Sequence, residues 1–154
     1  MLIEAHVAKW RRFHAIRRRF DPIDEFELWF WATASGATAL INAALHATGV
    51  TQAARLFPTQ IEHVYAGVDE DMRCRRKLAI EGDLIVLGVP PLRGSVPRQL
   101  RTAIESMRAI EAFREPLVRG GAVPDLQAVA TCERAYAIVV AETRATLAEG
   151  ARQP

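Results

Sequence analysis

The sequence predicts an all-α fold: an antiparallel helical bundle of four longer helices with short helical segments between them. Three observations predict it. Apolar residues recur every three or four positions in three separate stretches. A fourth stretch, Leu28 to Val50, carries no charged residue at all. Between these stretches stand strong stop and start signals: Asp21-Pro22, Gly49, Gly120-Gly121 and Pro124-Asp125.

The first helix is expected over residues 2–20. Ile3, Val7, Trp10, Phe13, Ile16 and Phe20 form one apolar stripe, and Lys9, Arg11, Arg12, Arg17, Arg18 and Arg19 fill the remainder as a solvated basic face. Asp21 then suits the N-cap and Pro22 the first position of a second helix. Asp24, Glu25 and Glu27 place negative charge at the positive end of that helix dipole. This helix opens on Phe26, Trp29, Phe30 and Trp31, continues through many alanines and stops at Gly49. Small side chains of this kind let neighbouring helices approach closely.

Shorter signals follow. Thr51 to Phe57 is expected to form about two helical turns before Pro58. Thr59 with Glu62 fits a capping box for a short helix to about Ala66. Met72 to Ile80 is expected as another, with Asp69, Glu70 and Asp71 before it, Arg73, Arg75, Arg76 and Lys77 along it, and Gly82 as its stop. Leu84 to Val89 is apolar and rich in β-branched residues, and is expected as a buried extended loop, because a lone strand has no partner. Ser95 is expected to cap the third long helix, whose stripe is Val96, Leu100, Ala103, Met107, Ile110, Phe113 and Leu117, with Pro116 ending or kinking it. Pro124-Asp125 starts a last helix to about Glu149, with Leu126, Val129, Cys132, Tyr136, Val139, Val140, Thr143 and Leu147 inward.

A length of 154 residues suits a single domain, expected over 1–149 with a frayed tail at 150–154. Apolar residues make up 50% and charged residues 25%, so a core is affordable without disulfides or metal. A net charge of +2 falls short of the imbalance of a dedicated nucleic-acid binder. Cys74 and Cys132 stand alone, without metal-ligand spacing, and are expected to be reduced. No signal-peptide pattern opens the chain, which predicts a cytoplasmic protein. Leu28 to Val50 is long enough to cross a bilayer, but its polar residues and alanines favour a buried central helix.

Few residues point to chemistry. Asn42 and His46 are four apart on the uncharged helix and share a face. With Glu62 and His63 they are the candidate ligand-binding residues. Arg93 and Ser95, followed by Arg98, bring arginines and free N–H groups to a helix start, a candidate anion site. No His has a companion His at i+3 or i+4, and HExxH is absent, so no metal and no cofactor is expected. GxSxG and GxxxxGK[ST] are absent too. The leading functional expectation is an interaction module, a homodimer or a binder of a protein partner, because the aromatics from Phe26 to Trp31, together with Trp10, Phe13 and Phe20, are expected to exceed what one small bundle needs to bury. The alternatives are an enzyme or ligand-binding protein with a pocket near Asn42 and His46, and nucleic-acid binding through the basic helix faces.

Overall fold

The computed structural model describes residues 1–51 and 96–150. Among these there are four α-helices and no strand: α1 (Ile3–Arg17), α2 (Phe26–Ala47), α3 (Arg98–Glu111) and α4 (Leu126–Gly150), with a π-helical segment, Arg114–Arg119, after α3. The expected helical bundle is the fold of this chain. The short helices expected between Thr51 and Ile80, the extended run Leu84 to Val89, and the tail 151–154 lie outside the described residues.

The turn between α1 and α2 is built by Asp21. Its Oδ1 accepts the backbone N–H of Ile23 at 2.8 Å and of Asp24 at 3.0 Å, while its own N–H donates to Glu25 Oε2 at 2.9 Å. These bonds satisfy donors that an entering helix leaves open, and they hold the Asp21 carboxyl below its ordinary pKa. Two boundaries move relative to expectation. α1 ends at Arg17, three residues before Phe20, and regular α2 begins at Phe26, four after Pro22. Pro22 disfavours helical backbone just before it, so the chain spends residues 18–25 on turns.

α2 is the centre of the fold. Sixteen of its 22 residues are buried, and it packs against α1, α3 and α4. It is long and apolar enough to cross a membrane by length and composition, and 78% of its most apolar window is buried by the chain itself. Phe26, Trp29, Phe30, Ile41 and Leu45 meet Leu100, Met107 and Ile110 of α3 and Val129, Cys132 and Val139 of α4. Thr33 and Thr38 donate their hydroxyls to the carbonyls of Trp29 and Ala34, four residues back, which keeps polar side chains satisfied inside an apolar helix. Gly49 ends the helix with φ +70°, a left-handed turn that glycine adopts without strain.

The stripe expected on α3 is its buried face, and Phe113 and Leu117 pack on the core beyond it. α3 stops at Glu111, before Pro116, which has no N–H to continue the ladder. On α4 the Asp125 side chain accepts the Ala128 N–H at 2.7 Å, as an N-cap does. Leu126 departs from its expected inward position. It is the first residue of α4 and is 77% exposed.

α1 departs from the expected orientation at Ile16 and Arg17, while Ile3, Val7, Trp10 and Phe13 of the stripe are half-buried. Its buried residues are His6 and Arg17, and the supposed stripe residue Ile16 is 38% exposed. The helix packs closely on α2, while it reaches α4 through long side chains. An inward polar face on α1 therefore sets up the site.

Candidate ligand-binding site

Arg17 forms the floor. Its side chain is 7% exposed, an uncommon position for a permanent charge. Desolvating a cation is costly unless surrounding groups replace water. Four groups do so here. Nε donates to Thr33 Oγ1 at 3.0 Å. Thr33 spends its own proton on the Trp29 carbonyl at 2.8 Å, which leaves its oxygen as acceptor. Nη2 pairs with Glu133 Oε1. The guanidinium carbon lies 4.3 Å from the Tyr136 ring centroid and 5.4 Å from that of Trp29, both within cation–π range.

Tyr136 ties this floor to the rest of α1. Trp10 Nε1 donates to its hydroxyl at 3.1 Å, and His14 Nδ1 lies 3.2 Å from the same oxygen. An indole N–H only donates, so the hydroxyl is free to donate to His14. Where the neutral ring carries its proton on Nε2, the hydroxyl donates to Nδ1 and the bonds run from Trp10 to Tyr136 to His14. The electrostatics agree. Burial, with Arg17 and Arg18 behind it, holds the His14 imidazole below its ordinary 6.5. Burial also raises the Tyr136 hydroxyl, so it stays protonated at neutral pH. Gly36 makes room for it: a Cβ there would stand 3.1 Å from the Tyr136 hydroxyl and 3.4 Å from Phe13 Cβ.

Above this network lies an open cleft of about 680 Å³ between α1 and α4. His14 and Arg17 line it from α1, and Glu133, Tyr136 and Arg144 from α4. Ala137, Ala141 and Ala145 recur at four-residue intervals beside Val140 and make its apolar wall. The cleft exists because small side chains on α4 face a helix that crosses to it only with long ones. Its chemistry combines one buried cation, hydrogen-bonding edges and a smooth apolar strip. Nearby Cys132 belongs to the core, with burial pushing its thiol up to about 12.

The sequence-predicted residues are elsewhere. Asn42 and His46 are both buried on α2, and neither lines this cleft. His46 Nδ1 is 2.7 Å from Thr51 Oγ1, and its ring centroid is 5.3 Å from that of His6. The fold thus pairs two histidines that sequence spacing separates. Arg98 opens α3 and is exposed. Glu62, His63, Arg93 and Ser95 lie outside the described residues. Among the described residues, no group of three or more His, Cys, Asp or Glu side chains is placed to hold a metal ion.

Sequence reasoning missed Trp10, His14, Arg17, Glu133 and Tyr136 as a site. One signal was present. His6, Trp10, His14 and Arg17 recur at helical spacing as faithfully as the apolar stripe does. A comparison with protein-family models, curated proteins and solved structures finds no match to this chain.

Proposed function

We propose that this protein binds a small molecule in the cleft between α1 and α4. The observation that carries this reading is the buried Arg17 at the floor of an open cleft, fixed from behind by Thr33 and Tyr136. Pockets between bundle helices with a few converging polar groups on an apolar lining are the usual form of a ligand site. The aromatic cluster that suggested a self-associating module does not compete with it. Phe26, Trp29 and Phe30 are at most 5% exposed and belong to the chain's own core.

The test is a fragment screen followed by NMR of the 15N-labelled indoles. Trp10 reports on the cleft because its N–H donates to Tyr136. Binding fragments shift the Trp10 indole resonance. Ala141→Trp, a filling substitution at an exposed wall position, abolishes the shift while the melting temperature holds. Fragments that bind without moving Trp10, or binding unaffected by Ala141→Trp, overturn the reading.

Self-association keeps one observation in its favour. Val123 and Leu126 are 85% and 77% exposed just where α4 begins. Light scattering that returns a monomer across a hundredfold concentration range removes it.

A further inference from the structure

Resting on the cleft reading, we infer that the ligand is a carboxylate with a slim apolar body, and that its head group takes the place of Glu133 on Arg17. The two halves of the Arg17–Glu133 pair are held very differently. Arg17 is anchored on three other sides, by Thr33 Oγ1 and the rings of Tyr136 and Trp29, and is buried. The Glu133 side chain lines the cleft from α4 and is 48% exposed, and no other hydrogen bond to it is seen among the described residues. Glu133 itself gives up little by turning into water, because its carboxylate is already half solvated, so the cost of parting the pair falls on Arg17. Arg17 cannot follow it without leaving its rings.

An incoming group must then restore what Glu133 supplied. A buried guanidinium left without an anion is expensive, and a planar carboxylate matches its fork of donors. A neutral or cationic head group fails this exchange. The glutamate therefore acts as a resident stand-in, which keeps the cation paired while the cleft is empty.

The body of the ligand is set by the wall. From Ala137 to Ala145 the helix rises about 12 Å, and the side chains presented along it are Ala137, Ala141 and Ala145 with Val140 between them. None of these offers a hydrogen bond, and each alanine ends in a methyl group. The three alanines are exposed and the cleft is open, so a linear aliphatic chain laid along the strip covers one side of its methylenes against it. Arg144 stands at the outer end, exposed, and adds positive potential that favours an anion over a cation.

The experiment titrates four probes, octanoate, butyrate, octanol and octylamine, into the wild type, Glu133→Gln and Ala141→Trp. Calorimetry gives affinity and the Trp10 indole resonance gives location. Octanoate is expected to bind and to shift Trp10. Glu133→Gln is expected to tighten octanoate about tenfold, because a neutral amide competes less well for the cation. Butyrate binds more weakly than octanoate, octylamine does not bind, and Ala141→Trp abolishes octanoate binding. Octanol binding as well as octanoate, or an affinity indifferent to Glu133→Gln, overturns the carboxylate exchange while leaving the cleft as a binding site. Octylamine binding more tightly than octanoate overturns it too. If no probe and no fragment moves Trp10, the inference and the cleft reading fall together.

Discussion

The guanidinium carbon of Arg17 lies 4.3 Å from the centroid of the Tyr136 ring, and the hydroxyl of that ring accepts the Trp10 indole N–H at 3.1 Å. One side chain of α4 thus holds two residues of α1 that stand seven positions apart. Removing either half of this contact has a measurable cost.

Arg17→Met is expected to lower stability by about 2 kcal/mol, from a desolvated cation–π contact and a charged hydrogen bond, with little added for the solvated Glu133. For a chain of this size that is a fall in melting temperature of roughly 4–8 °C. Arg17→Lys keeps the charge but loses the planar stacking and the Nε bond to Thr33, and should recover only part of the loss. Thermal and urea denaturation of the two variants check the order.

Tyr136→Phe keeps the ring under Arg17 and removes the hydroxyl. The buried hydrogen-bonding it ends with Trp10 and His14 is expected to cost about 1–2 kcal/mol. The Trp10 indole resonance should move in the same variant. A large stability loss with no movement of Trp10 would contradict the hydrogen-bonded arrangement.

At Gly36 two effects oppose each other. Alanine in place of a helical glycine ordinarily stabilises by about 0.5–1 kcal/mol. Here its Cβ would sit 3.1 Å from a hydroxyl held by Trp10 and His14. The neighbour cannot give freely, so Gly36→Ala is expected to destabilise, and Gly36→Val more so. Denaturation midpoints decide the sign.

His14 gives a pH dependence with a defined direction. Its imidazole binds a proton less readily in the fold than at its ordinary value of 6.5, through burial first and the Arg17 charge second. The unfolded chain therefore takes up more protons as the pH falls. The stability contributed by neutral His14 is complete above 6.5 and declines as the pH drops through the window below it. The difference in stability between wild type and His14→Gln, followed from pH 7.5 to 5 by urea titration, should shrink on the acid side. A difference that is constant or grows there counts against this direction.

Cys132 has no exposed surface and its thiol is pushed up to about 12. In a Cys74→Ser background it should resist Ellman's reagent in the folded protein and react at once in denaturant. Prompt reaction under native conditions would place Cys132 outside the core.

The sequence by itself determined the helices and most of their inward faces. Leu100, Met107 and Ile110 of α3 and Val129, Cys132 and Val139 of α4 are buried as their spacing requires. An uncharged helix rich in alanine became the centre of the bundle, because burying apolar surface is non-directional and periodicity records it locally. The tertiary structure decided the face of α1 and with it the site. A hydrophobic stripe marks Ile16 as inward, yet Arg17 is buried and Ile16 half exposed. Burying a charge is favourable only where partners stand ready, and those partners are Thr33, Glu133 and Tyr136, up to 119 positions along the chain. Periodicity within one helix cannot register such partners. Only the packing of α1 across α2 and toward α4 turns an arginine in a basic run into the floor of a cleft.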